Sequence, residues 1–483
     1  MNDLKKKVLS GVFWQGLCNI GSKGLNFLFS IILARLLMPK EFGSVAILMI
    51  FIGIAEVFID SGFSTALIQK KDADEIDCSC VFYINLMVSV FCYIILFFSA
   101  PAIAGFYRDP NLTIYFRVLA VGVVIRSLSL IQGALLNKRM LFHLSFRIGF
   151  CSLLLSGATG IVMAYNGFGG WSLIAQQLVN SVVSTLLLWF FVRWRPALVF
   201  VWARVKTLFR FGSKILATSL LDALCNNLFG ILVGRLFSLQ MLAYYNRGRH
   251  IPETGMGIIN STIGSVVLPA FSQIQNDPPR VKHLMRNSLQ VTMFLVCPAM
   301  ALLAVLAKPL VLVLLTEKWL PSVIFIQVSC LIFLVWPLHT LNLQVIIARG
   351  RSDYMLILEV IKKIQIVLVL LLTYPFGVEA MVWGMAVNGL VCAFENAWPN
   401  RKLINYSFWG QVRDFTPYLL WAVIAALPVA VILHWLHIQA GLQLTIGFIL
   451  YGVIYSGGLA MTGMLPSGIA AVREKIPVFH FGK

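Results

Sequence analysis

Apolar runs of about twenty residues recur along this chain, and each is continuous rather than alternating. A helix rises about 1.5 Å per residue, so one crossing of a bilayer core takes roughly twenty such residues. Lipid-facing strands would instead place an apolar side chain at every second position. The expected fold is therefore an all-α polytopic membrane protein. Its 59% hydrophobic and 12% charged residues and its mean hydropathy of +0.87 lie outside the range of soluble domains. About fourteen spans can be placed, at 11–37, 43–68, 79–99, 112–136, 147–166, 171–193, 209–238, 250–274, 287–307, 321–346, 354–375, 378–398, 416–437 and 441–464.

A net charge of +19 would point to nucleic acid in a soluble chain. Here the basic residues gather in alternate loops, by roughly four to one, which is the positive-inside pattern and indicates no nucleic-acid partner. One set of loops holds Lys5, Lys138, Arg139, Arg195, Arg204 and Arg349; the other has only Lys40, Arg108, Arg247, Arg249, Lys308 and Lys318. Both termini are expected in the cytoplasm. The first span carries Lys23 and no small-residue cleavage site, so it reads as a retained helix. The nine cysteines are scattered, with no disulfide framework, and Cys78-Ser-Cys80 reads as ordinary thiols in a loop.

The chain also looks duplicated at an offset of two hundred residues. Asn26-Phe-Leu-Phe29 and Ala34-Arg-Leu36 overlay Asn226-Asn-Leu-Phe229 and Gly234-Arg-Leu236 without a gap. The expected organisation is an N-terminal lobe of six spans (1–194), a cytoplasmic linker (195–211), a second six-span lobe (212–400) and a terminal helix pair with a tail (401–483). In the linker, Leu198, Val201, Trp202, Val205 and Leu208 recur at helical spacing against Arg204, Lys206 and Arg210, which suits an amphipathic helix on the leaflet; a plain connecting segment is the competing reading.

Ionisable groups within membrane spans cost several kcal/mol and mark pathways or relays. Counting along the spans puts Lys23, Glu56, Asp60, Arg126 and Asp222 in one layer roughly 12 to 18 Å from the cytoplasmic ends. Glu56 and Asp60, four apart, share a helix face. With Asn19, Asn26, Asn226 and Asn227 they are expected to line a wet compartment between two pseudo-symmetric lobes. Two readings stand for the charges: structural ion pairs, or cations (Lys23, Arg126) for a phosphate-bearing substrate and carboxylates (Glu56, Asp60, Asp222) for ion coupling or gating. Arg35, Arg235 and Arg117, at the outer ends of their spans, read as an outer gate or headgroup contacts, or as snorkelling side chains. Glu379, Glu395 and His339 are weaker relay candidates. No nucleotide-binding loop, His-Glu-x-x-His or other catalytic, metal or cofactor constellation is present, and Asn166-Gly-Phe-Gly-Gly170 is a turn between spans.

Ala34-Arg-Leu-Leu-Met-Pro-Lys-Glu-Phe-Gly43, Asp60-Ser-Gly-Phe-Ser-Thr-Ala-Leu-Ile-Gln69, Gly167-Phe-Gly-Gly-Trp-Ser-Leu-Ile-Ala-Gln176, Tyr244-Tyr-Asn-Arg247, Leu268-Pro-Ala-Phe-Ser272 and Ala348-Arg-Gly-Arg-Ser-Asp353 resemble the bacterial polysaccharide transport family, its colanic-acid-exporter branch in particular, within the multidrug, oligosaccharidyl-lipid and polysaccharide exporter superfamily. The resemblance implies fourteen helices around a central cavity. It also implies flipping of an undecaprenyl-diphosphate-linked oligosaccharide across the bacterial inner membrane by alternating access. Expected partners are that lipid, membrane lipids, a proton or sodium ion, and the polysaccharide polymerase machinery. A cation-coupled multidrug exporter of the same superfamily is the alternative. A membrane glycosyltransferase or polymerase would need larger outer loops, and no enzymatic activity is expected.

Overall fold

The computed structural model describes residues 21–60, 74–139, 141–436 and 438–462, without the side chains of 203, 207–211, 214, 215, 261, 262, 265, 266, 460 and 462. Asn19 and most of the 60–69 motif lie outside the described residues. Every regular element among the described residues is helical, because a backbone in lipid must satisfy its own N–H and C=O groups. Packing divides the chain into two compact units, Met1–Ala243 and Tyr244–Lys483.

The first unit contains α1 (21–36), α2 (Pro39–Asp60), α3 (Glu75–Tyr107), α4 (Asn111–Ser127), α5 (Leu130–Lys138), α6 (Phe142–Tyr165), α7 (Gly170–Phe191) and α8 (Trp202–Leu236), and ends within α9 (Leu239–Gln273). Helix α2 packs on α8, α3 on α4, and α7 on both α4 and α6. Lipid supplies little hydrophobic drive between helices, so close backbone approach carries the packing. A Cβ at Gly157 of α6 would lie 2.4 Å from the Phe29 ring, and one at Gly43 only 1.8 Å from the Leu239 carbonyl oxygen. The expected α6–α7 turn is present, with Gly167 at φ +80 and Gly169 at φ +56, a region open to glycine without strain.

Helix ends reproduce the duplication. Helices α1 and α8 end at 36 and 236, and α2 and α9 begin at 39 and 239, so Arg35 and Arg235 are each the penultimate residue of their helix.

Three features differ from expectation. First, α3 starts at Glu75, well before the apolar run. A capping box starts it: Asp74 Oδ1 accepts from the Asp77 N–H at 2.8 Å and Asp77 Oδ2 from the Asp74 N–H at 3.3 Å. Cys78 and Cys80 therefore sit inside a helix, not a loop, and both are buried. Second, the 195–211 stretch is not one amphipathic helix. Its first part is irregular and its second is the start of α8, continuous to Leu236. The irregular part instead docks on the start of α3: Ala197 N–H donates to Ser79 Oγ at 3.0 Å and Val201 N–H to Cys80 Sγ at 3.2 Å. Arg204 holds Asp74 and Asp77, and Val205 is buried among Cys78, Cys80, Phe82 and Ile131. Third, the expected span 112–136 is broken into α4 and α5, bent by 42°.

The second unit continues through α10 (Pro278–Val305), α11 (Ala307–Leu314), α12 (Ser322–Leu334), α13 (Trp336–Ala348), α14 (Ser352–Thr373), α15 (Val378–Leu403), α16 (Phe408–Trp435) and α17 (Ala440–Thr462). Its core joins Met285, Leu289, Met293 and Cys297 of α10 to Leu338 and Leu341 of α13 and Ala422 and Ala425 of α16. Helix α10 opens on Asp277, whose side chain accepts from the Arg280 N–H, with proline in the first turn.

Among the described residues ten helices are long and apolar enough to cross a membrane, or eleven with α4 and α5 taken as one crossing. The other expected crossings, at 21–36, Leu239–Gln273 and Ser352–Thr373, are helical too. The exposed aromatic residues Tyr165, Trp202, Trp409 and Trp435 stand at helix ends, where amphipathic rings sit at the membrane surface.

Candidate functional site

The break between α4 and α5 builds the site. Hydroxyls at Ser127 and Ser129 turn back onto the carbonyls of Val124 (2.8 Å) and Arg126 (3.0 Å). Carbonyls released by the bend find donors on α7: Trp189 Nε1 donates to the Leu128 oxygen at 2.8 Å and Thr185 Oγ1 to the Ile125 oxygen at 3.2 Å. A break in a membrane helix persists where neighbouring side chains satisfy the freed groups in this way.

Beside the break lies a cavity of about 630 Å³, walled by α2, α4, α5, α7 and α8. That is the size of small-molecule sites. Among the described residues, every one lining it lies between Gly53 and Ser219, within the first unit. Glu56 and Asp60 reach it from α2 and Arg126 from the last turn of α4, so three of the five charges expected in one layer do share a void. Arg126 Nη1 and Glu56 Oε1 pair at 2.6 Å, both partly exposed to the cavity. Asp60 keeps a buried Oδ1 with no hydrogen-bond partner among the described residues. The same ion pair also lines a second void of about 20 Å³, between Met49, Ile52, Leu119, Gly122 and Ser181, with room for about one water. The pair thus borders both the cavity and a small void among α2, α4 and α7.

The remaining candidates do not join this cavity. Lys23 and Asn26 are exposed on α1. Asp222 and Asn226 are exposed on α8 beyond the lining residues Leu216 and Ser219, and the Asn227 amide bonds back to the Ala223 carbonyl at 2.7 Å. Arg35 is exposed at the end of α1. Arg117 and Arg235 take one arrangement: each donates to a backbone carbonyl of α3 and lies over the ring of that same residue, Phe97 at 4.3 Å and Phe106 at 4.5 Å.

In the second unit, the His339 ring meets the Asn396 amide at 2.9 Å and Glu395 accepts from Gln365, while Glu379 is exposed. No group of three His, Cys, Asp or Glu among the described residues is arranged to hold a metal. Sequence reasoning missed the small polar lining of the cavity, Ser127, Ser129, Asn137, Ser184 and Ser219. The signal was the pair of serines following Arg126, inside an otherwise apolar run.

Comparison with known proteins gives a consistent result. The chain is 25% identical over 73% of its length to the teichuronic acid biosynthesis protein TuaB of Bacillus subtilis, covering 74% of that protein. It is 25% identical over 72% of its length to the lipopolysaccharide biosynthesis protein WzxC of Escherichia coli, covering 72% of it. The succinoglycan biosynthesis transport protein ExoT of Rhizobium meliloti is 27% identical over 65% of this chain and 64% of its own length. Among solved structures, the lipid II flippase MurJ in an inward closed conformation superposes with a TM-score of 0.74 over 93% of this chain and 99% of that one, at 12% identity. An inward-facing multidrug resistance MATE family transporter reaches 0.61 over 81% and 98%, at 16% identity. At these identities the two structures establish the fold. Residues 32–324 match the polysaccharide biosynthesis protein family, and the chain belongs to that family.

Proposed function

We propose that this multi-pass membrane protein is a flippase, not an enzyme, which moves an undecaprenyl-diphosphate-linked oligosaccharide across the bacterial inner membrane by alternating access. The observation that carries the reading is a cavity set into a membrane-spanning helical unit, lined by serines, an asparagine, Asp60 and the Arg126–Glu56 pair, which also borders a second, smaller void. An arginine offers a planar set of donors matched to phosphate oxygens. It becomes available to a diphosphate only when Glu56 lets go, so cargo binding and parting of the pair are one event. Asp60, without a cation beside it among the described residues, is the group that would take a proton or sodium ion in exchange.

The sequence relatives support the polymer class, since their names link them to teichuronic acid, lipopolysaccharide and succinoglycan synthesis. The same fold has been solved inward-facing and outward-facing, with TM-scores of 0.61 and 0.54, which supports alternating access. The concentration of basic loops at the end of the first unit holding Lys138, Arg139 and Arg204 supports a cytoplasmic location for that end and for both termini. On this reading the product is delivered to an exopolysaccharide or O-antigen polymerase.

The multidrug-exporter alternative draws support from one observation: two carboxylates against one arginine leave the cavity with an excess negative charge, which suits a cationic drug. Deleting the gene and analysing the membrane lipids separates the two. Accumulation of an undecaprenyl-diphosphate-linked oligosaccharide on the cytoplasmic side, cleared by the wild-type gene, is the expected result. Unchanged lipid intermediates with new sensitivity to cationic compounds would favour the exporter.

A further inference from the structure

A second polar pocket, of about 470 Å³, lies at the opposite end of the first unit, where the turns after α1, α3 and α8 meet. Three cations line it: Lys40 from the first turn of α2, Arg108 just past α3, and Arg235 at the end of α8. The one carboxylate there, Asp109, is 6% exposed and already engaged, by Lys40 at 3.4 Å and by the Asn111 N–H at 3.2 Å. Neither arginine has a carboxylate partner among the described residues. Arg235 meets only neutral groups of Phe106, its carbonyl and its ring. Tyr107 on the pocket wall is 6% exposed, and its hydroxyl has no hydrogen-bond partner among the described residues. Two further facts single out Arg108. Its side chain makes no hydrogen bond or ion pair among the described residues, and its backbone sits at φ 56, where glycine would be unstrained.

Two guanidinium groups without carboxylate partners among the described residues, lining one pocket with Lys40, form a receptor for an oxyanion. We propose that this pocket binds the phosphate or diphosphate group of a lipid at the membrane surface opposite the basic loops, so that the headgroup is held there as cargo leaves. The proposal deepens the flippase reading and rests on it for the identity of the departing lipid; the binding chemistry does not depend on transport. Two sources carry the same chemistry, the diphosphate of the carrier lipid and the phosphodiester of a bilayer phospholipid.

The test uses the purified full chain. Calorimetry with inorganic diphosphate reports the first source, and native mass spectrometry of phosphatidylglycerol retained from mixed micelles reports the second. Arg108→Gly is the informative variant, since it removes the guanidinium while supplying the residue that the left-handed backbone accepts. Arg235→Gln is the second variant, and Arg280→Gln, on an exposed surface pair of the second unit, controls for loss of charge alone. The expected result is a tenfold or greater loss of diphosphate affinity in Arg108→Gly and Arg235→Gln, with Arg280→Gln binding as wild type. Loss of phosphatidylglycerol retention in the same two variants, with diphosphate unbound by wild type, assigns the site to bilayer lipid. The proposal is overturned if wild type binds neither probe, or if the Arg108 and Arg235 variants bind both as wild type does. These binding outcomes stand whether or not deletion of the gene causes a lipid-linked oligosaccharide to accumulate, so failure here and failure of the flippase reading are separable.

Discussion

Arg126 Nη1 and Glu56 Oε1 stand 2.6 Å apart and border both a cavity of about 630 Å³ and a void of about 20 Å³. Asp60, one turn along α2 from Glu56, lines the larger space without sharing their contact. Of the two carboxylates on this helix face, one is thereby engaged in an ion pair and, among the described residues, the other is not.

Replacing Arg126 by alanine is expected to reduce polymer export at least tenfold, equivalent to about 1.4 kcal/mol at the limiting barrier, while protein abundance in the membrane stays near wild type. Arg126 sits in the last turn of α4 beside the cavity and outside the buried core, so the change is directed at transport and abundance serves as the control. Export yield normalised to membrane-extracted protein is the measurement. Wild-type export by a well-expressed Arg126→Ala chain would refute the role of the pair.

Gly43→Ala should be among the most destabilising single-methyl additions in the first unit. The new Cβ would fall 1.8 Å from the Leu239 carbonyl oxygen, a backbone atom unable to swing aside, and overpacking of this kind costs about 1–3 kcal/mol. A lowered melting midpoint in detergent is expected. Gly53→Ala, with open space around the corresponding position, is the matched comparison and should melt near wild type.

At the α4–α5 bend, Trp189→Phe removes the donor to the Leu128 carbonyl while keeping an aromatic ring. Loss of one such hydrogen bond costs about 0.5–1.5 kcal/mol. The loss should appear as faster hydrogen exchange around residues 126–130 than in the rest of α4 and α5, since the bend, and not the helices, depends on this bond.

The linker contact supplies a pH test. Asp74 is held below its ordinary carboxyl value of 3.8, first by the Asp77 N–H and then by the Arg204 guanidinium. A depressed folded value means that the stabilisation is fully present above the ordinary value and is lost as pH falls through the lowered one. Protease cleavage within residues 193–201 should therefore be unchanged from pH 7 to 5 and should rise only in the acid range below the ordinary carboxyl value. Asp74→Asn should show the higher cleavage at every pH.

Helix identity, the α2 face carrying Glu56 and Asp60, and the placement of Arg126 at their level were all legible from apolar runs and residue spacing. The 200-residue offset was legible as well and reappears in the helix ends at 36 and 236. Lys23 and Asp222 were placed by the same count, and both are exposed outside the lining of this cavity. Counting residues from a helix end fixes height, but each residue also turns by about 100°, and direction around the axis is decided by neighbouring helices. The bend after Arg126 was hidden for a related reason: Ser127 and Ser129 fit an apolar helix, and only the donors from Thr185 and Trp189, some sixty residues away, make a break tolerable there. The extra length of α3 was local and readable, because Asp74 and Asp77 have the spacing of a cap.

Because the described walls of the cavity all fall between Gly53 and Ser219, upstream of Tyr244 where the second compact unit begins, a chimaera joined at that boundary would carry these wall residues together into a new host chain. Whether cargo preference travels with that stretch is then readable from the polymer that such a chimaera exports.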